Sequence, residues 1–331
     1  MKHSPQTLRL AVARAGLLLF AICLLTGCEY KDLCYDHHLH AATLKVSFDW
    51  QKAPQHTAKG MTVLFYNMDN PSAQPVRYDY TLAGGTATLE PGRWRAVTYN
   101  NDTEAILYRN MNDCNTLEAY TRESSIEEGT QLSRAGMPRA NGTEIEPVIL
   151  EPDPLWGCAS EVFTLGVDEH EVSLVLYPEA RYQTLTIDII NVPNLQYTGA
   201  FGGAISGLAA SRFIASGKPS ELTATQAFSV SRNGENSLRA TMNIFGHCPK
   251  LNQGVANEHM LTIYAILADG TKWYYNIDVT DEIHQAAQQA GDDLNMAITI
   301  EGLPVPKPIV NGSGFKPTID GWQGVEIEIG M

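Results

Sequence analysis

The chain has 331 residues, of which 44% are hydrophobic and 18% charged, and its formal net charge is −14 at neutral pH. That length accommodates about two domains with cores of their own. The acidic balance excludes a protein that seeks nucleic acid or anionic lipid through charge.

The first 27 residues read as an address. Lys2, Arg9 and Arg14 give a positive start without acidic residues, and an apolar run follows from Ala15 to Leu25. The run is too short to span a hydrocarbon layer of about 30 Å and has the length of a secretory signal. It ends in Leu25-Thr26-Gly27-Cys28, the pattern of a bacterial lipobox, which predicts a signal peptide over 1–27 and lipidation of Cys28. Two or three acyl chains, at about 0.8 kcal/mol per buried methylene, make a lasting anchor. Loss of three positive charges with the signal leaves 304 residues at a net charge of −17, and no later apolar run approaches spanning length.

Residues 28–40 follow as a polar tether. Cys34, His37, His38 and His40 lie together there beside Asp36, and thiolate and imidazole are the usual donors to zinc. The segment lacks the apolar content for a rigid cage and has no second ligand pair across a loop. It is read as a solvated spacer, and neither a metal site nor a cofactor is expected.

Beyond the tether the chain reads as strands and turns. Residues 43–50 alternate apolar and polar side chains as a half-buried strand does, and 61–66 form a continuous apolar run. Residues 84–99 make a hairpin around Pro91-Gly92. Residues 101–160 are rich in Asn, Asp, Glu, Pro and Gly, which predicts a loop insertion with one or two short strands. Within it, 151–157 reads as a rigid turn pinned to the core by Leu155 and Trp156.

An alternating strand over 171–177 stops at Pro178, and another starts at Tyr182. That break predicts a first domain over 41–179 and a second over 180–331. The second half continues with strands near 201–205, 212–215, 227–230, 237–244, 260–267 and 271–277. Asp278 or Thr280 caps one short helix, Asp281 and Glu282 suit its positive end, and Gly291 stops it. Strands at 295–300 and 325–329 close the chain. The fold class is therefore all-β, built of antiparallel sandwiches with a single short helix in the second.

Catalytic motifs are missing at the letters that suggest them. Asp168-Glu169-His170-Glu171 lacks the second histidine of a metalloprotease motif and reads as a polar turn. The glycines of 199–207 lack dinucleotide spacing and suit close strand packing. No Gly-x-Ser-x-Gly occurs, so no catalytic residue is assigned and no enzyme is expected. In an oxidising envelope Cys34, Cys114, Cys158 and Cys248 pair in one of three ways, with Cys114–Cys158 favoured because the two bracket the insertion. A disulfide from Cys34 into the folded body is the simplest account of that residue.

Four stretches carry a family resemblance. They are Cys28-Glu29-Tyr30-Lys31-Asp32-Leu33-Cys34-Tyr35, the hairpin Leu89-Glu90-Pro91-Gly92-Arg93-Trp94-Arg95-Ala96-Val97-Thr98-Tyr99-Asn100, the join Ile277-Asp278-Val279-Thr280, and the ending from Gly314 to Ile329. In these the chain resembles the Bacteroidales fimbrial accessory lipoproteins, the FimB-like anchor and minor subunits of type V pili. It most resembles a related lipoprotein group defined only as a domain of unknown function.

The resemblance implies two tandem transthyretin-like β-sandwiches on a lipid tether in the outer membrane, exposed at the cell surface. Its implied partners are the membrane, through lipid, and fimbrial subunits, joined by strand addition. Val325, Ile327 and Ile329 alternate as an added strand would, with Glu326 and Glu328 on the other face; closure of the chain's own sheet is the competing use of this strand. Polymerising subunits of this kind lose their lipid by cleavage after a basic residue beyond the first strand. Here the first arginine after Cys28 is Arg77, as suits a subunit that keeps its lipid. A second reading is a surface lipoprotein that binds glycan or peptide on Trp273, Tyr274 and Tyr275.

Overall fold

The structure, a computed structural model, describes residues 41–132, 136–166, 171–248, 258–291, 293–308 and 321–327. Strands are numbered in chain order. They form five sheets.

The first sheet runs β11 (Glu171–Leu176), β1 (Ala42–Phe48), β4 (Gly85–Leu89). It lies over a second of six strands: β12 (Glu179–Ala180), β9 (Trp156–Ala159), β5 (Gly92–Asn100), β2 (Gly60–Asn67) and β3 (Val76–Thr81), with β10 (Phe163–Leu165) also on β5. Alternation decides which side chains meet. Ala42, Leu44 and Val46 of β1 are buried while Thr43 and Lys45 are exposed. They pack on Val63 and Phe65 of β2 and on Trp94 and Ala96 of β5.

The second pair repeats the plan. A four-stranded sheet runs β17 (Ser231–Arg232), β18 (Leu238–Ile244), β13 (Gln183–Ile190), β21 (Asn295–Glu301). Facing it are β22 (Trp322–Ile327), β20 (Lys272–Asp278), β19 (Met260–Leu267), β14 (Thr198–Ala209), β16 (Thr223–Ser229) and β8 (Val148–Ile149). Leu185, Ile187 and Ile189 of β13 meet Ile263 of β19 and Tyr275 and Ile277 of β20 in the largest core. Helix α2 (Thr280–Ala290) closes one end through Ile283 and Ala286.

The fold is all-β and sandwich-like, as the alternation predicts. Not every pairing is antiparallel: β1 with β11, β13 with β21, β16 with β8 and β20 with β22 are parallel.

The stretch 101–160 is the main correction. The sequence reads as a loop insertion with one or two short strands; it holds more, for β6 (Ile106–Arg109) and β7 (Glu118–Thr121) join β15 (Ser211–Phe213) in a fifth sheet, and β8 extends the sheet of β16. Helix α1 (Ile126–Thr130), capped by the Ser125 hydroxyl accepting from the Glu128 N–H, lies on β16 and β14. With Leu132 and Met137 it covers Ala204, Ala227 and Tyr264 on the outer face of that sheet. The insertion has few apolar pairs of its own because its partners lie in the other half of the chain.

A further core joins the halves. The face of the second sheet turned away from β1 presents Leu64, Tyr66, Val97 and Tyr99, and these share a core with Trp156, Tyr182, Ala209, Ile214, Ala224 and Phe245. Arg181, only 5% exposed, stitches the same seam: its Nε donates to the Ile214 carbonyl at 2.9 Å and its Nη1 to Glu179 Oε2 at 3.2 Å. Leu155 and Trp156 are buried there, as the rigid-turn reading predicts.

Candidate functional site

The last described strand lies on a sheet edge. Among the described residues β22 has one neighbour, β20, with Tyr275 opposite Val325 and Ile277 opposite Ile327. Val325 and Ile327 are half-buried against the large core, and Glu326 is exposed on the opposite face. On that outer face Asn276 Nδ2 donates to Glu326 Oε1 at 2.8 Å, while Asn276 Oδ1 accepts from the Thr262 hydroxyl at 2.9 Å. Trp322 meets Tyr264 edge-on, with ring centroids 5.4 Å apart. The outer end of the Tyr274 ring lies over Gly324, so a side chain at this position would have to push the tyrosine aside.

β22 therefore closes the chain's own sheet. Among the described residues it does so as an edge strand held by a single ladder, the element of a sheet most readily exchanged for another strand. Ile329 lies outside the described residues.

The aromatic platform does not hold as expected. Tyr275 is fully buried in the large core, and Trp273 and Tyr274 are half-buried. Its strand lies in the sheet interior, where alternate side chains point into the core, so the three aromatics do not share a surface.

Cys114 and Cys158 are buried thiols and not the favoured disulfide. The reason lies in the sheet: Cys158 packs on the β1 side with Val63 and Phe65, while Cys114 packs on the opposite side with Tyr66 and Tyr99. Cys248 is also fully buried, and its Sγ–H donates to the Ser220 carbonyl at 3.6 Å. Cys28 and Cys34, with His37, His38 and His40, lie outside the described residues.

Burial pushes the Cys158 thiol up to about 11, so little thiolate exists at neutral pH. Native protein treated with iodoacetamide at pH 8 should keep Cys158 unmodified, and unfolding in urea should expose it. Peptide mapping by mass spectrometry checks this; rapid native labelling would contradict the burial.

An open cleft of about 490 Å³ lies between β9, β10, β11 and β12, walled by Phe163, Leu174 and Tyr177. On its charged side Glu179 takes both Lys52 and Arg181. No helix among the described residues is long and apolar enough to cross a membrane.

Two pairs of facing sheets, with β22 on a sheet edge, define an all-β, sandwich-like protein whose candidate site is an edge for main-chain contacts. The family model described as Domain of unknown function (DUF5119) matches residues 27–229, more than half of the chain, and the chain belongs to that family. It is 23% identical, over 92% of its length and 94% of the relative's, to the "Putative fimbrium anchoring subunit Fim4B" of Bacteroides ovatus.

Among solved structures it is similar to "a putative adhesin from Bacteroides ovatus", with a TM-score of 0.60, 22% identity and coverage of 86% of this chain and 99% of that one. That likeness establishes the fold. A TM-score of 0.49 at 11% identity, over 79% of this chain and 90% of the other, relates it to the fimbrial anchor protein Mfa2 of Porphyromonas gingivalis, too distant to bear on function. The resemblance read from the sequence, to fimbrial accessory proteins through a family of unknown function, holds.

Proposed function

We propose that this is a lipid-anchored, non-enzymatic protein of the outer membrane and cell surface, an anchor or accessory subunit of a fimbria-like assembly. In this reading the lipid sits on Cys28, residues 28–40 form the tether, and residues 41–179 and 180–331 form two sandwich units. The similarity to a fimbrium anchoring subunit over nearly the whole of both chains carries the reading.

Subunits meet by strand addition, and the β20–β22 edge is the contact. Support comes from the single ladder that holds β22 and from its alternation, with Val325 and Ile327 inward and Glu326 outward. Donated to the sheet edge of a neighbouring subunit, β22 would carry the same main-chain donors and acceptors and the same alternating side chains that it now presents to β20.

Affinity purification of the full chain from membranes of the producing cell tests this. Fimbrial subunits should co-purify with it, and deletion of residues 309–331 should reduce their recovery at least about tenfold, the equivalent of 1.4 kcal/mol of contact energy. Unchanged recovery would remove the edge from the mechanism. Purification without any fimbrial subunit would remove the assembly role as well.

A further inference from the structure

Three histidines far apart in sequence meet where α2 crosses the ends of β18 and β19. His247 follows β18, and its backbone bridges to Leu208 of β14. His259 precedes β19, with its N–H donating to the Thr280 hydroxyl at 2.9 Å and its carbonyl accepting from the Val279 N–H at 2.9 Å. His284 lies four residues beyond Thr280 in α2, one turn on and on the same side of the helix. Two sheets and the helix thus fix the three rings independently.

The ring centroids are 5.2 Å apart for His259 and His284, 5.6 Å for His247 and His284, and 5.9 Å for His247 and His259. One ligand nitrogen from each lies within 4.8 Å of the others. Three atoms so placed share a point at most about 2.8 Å from each, so shifts of about 0.7 Å bring all three to a zinc–nitrogen bond length. Rotation about χ1 and χ2 supplies such shifts without moving backbone.

Packing alone does not explain this choice of residues. Nδ1 of His247, Nε2 of His259 and Nε2 of His284 are each buried without a hydrogen-bond partner among the described residues. Buried polar atoms are costly when left unpaired, and three in one cluster call for an explanation. Leucine or phenylalanine would pack there without that cost.

The His259 ring supplies a second indication. Its Nδ1 stands 3.1 Å from the Ser206 carbonyl, which only accepts, so the proton resides on Nδ1 and the lone pair on Nε2. A ligating histidine is held in this way, one ring nitrogen donating to a carbonyl and the other offered to the ion. An all-imidazole donor set selects zinc and its transition-metal neighbours over calcium or magnesium, which take oxygen.

We propose that His247, His259 and His284 form a site for a divalent transition-metal ion, zinc foremost, that ties the ends of β18 and β19 to α2. The fourth position falls to solvent, since His247 and His284 are only half-buried. The site stands apart from the β20–β22 edge and does not depend on the fimbrial reading. It also departs from the sequence reading, which expected no metal site.

The test uses the full chain with Cys34, His37, His38 and His40 changed to serine and alanine, so that the tether contributes no ligand. The protein is stripped with EDTA and titrated with zinc chloride in a calorimeter, then loaded with cobalt(II) for its visible spectrum. The expected result is one ion per chain, micromolar or tighter, with a cobalt spectrum of nitrogen and oxygen ligands. His284→Ala and His247→Ala should each weaken binding at least about tenfold, while circular dichroism shows both variants folded. No zinc binding at micromolar concentration would overturn the proposal. So would full binding in both variants, or a sulfur-to-cobalt charge-transfer band.

Discussion

Trp156→Ala should lower the free energy of unfolding by about 3–5 kcal/mol, the range for a large aromatic removed from a packed core. Trp156 is 3% exposed and sits where the halves of the chain share apolar surface. Its ring meets Tyr182 edge-on at 5.4 Å and 89°, and His56 at 6.5 Å and 82°. His56 in turn stacks on Trp50 with centroids 3.6 Å apart. One indole thus braces the loop after β1, strand β9 and the entry to β13.

Deleting it empties a site whose walls belong to different sheets, which cannot collapse together. Against a usual total of about 5–15 kcal/mol, the loss is a large fraction of stability. Trp156→Phe, which keeps a ring, should cost less than half as much. Urea denaturation followed by circular dichroism measures both; a loss under about 1 kcal/mol for the alanine variant would show that this core does not hold the halves together.

The second large effect concerns location. Cys28→Ala should move the protein from the detergent phase to the aqueous phase of extracted cells. The chain after Cys28 has no apolar run of spanning length and carries many negative charges, so the lipid proposed on Cys28 is the attachment that this variant tests. Mass spectrometry of the native protein should find Cys28 as the acylated first residue. A native chain without lipid and trimmed beyond residue 45 would instead mark a polymerising subunit. Unchanged partitioning of the variant would remove lipid from the account.

Alternation made the sandwiches legible in the sequence. β1 and β21 read directly because a strand with one face in the core must place apolar residues at every second position. Helix α2 read just as directly, from acidic residues at its start and a glycine at its end. The glycines of β14 were read for close packing, and at Gly203 a Cβ would stand 2.5 Å from the Phe228 ring.

What escaped was whatever depends on distant partners. β7 pairs with β15 and β8 with β16 across most of a domain's length, so neither shows a pattern of its own. Cys114 and Cys158 bracket an insertion in sequence, yet a pleated sheet stands between their side chains. His247, His259 and His284 have no ligand spacing to notice, because two strand ends and a helix bring them together.

β1 has one further consequence, a mechanical one. It is the first described strand, and it lies in the middle of its sheet, parallel to β11 on one side and antiparallel to β4 on the other. Tension entering from the N-terminus runs along the strand axis, at right angles to both hydrogen-bond ladders. The bonds are then loaded together in shear and cannot open one after another from an end. A pull on that terminus therefore meets two ladders at once before it reaches the rest of the fold.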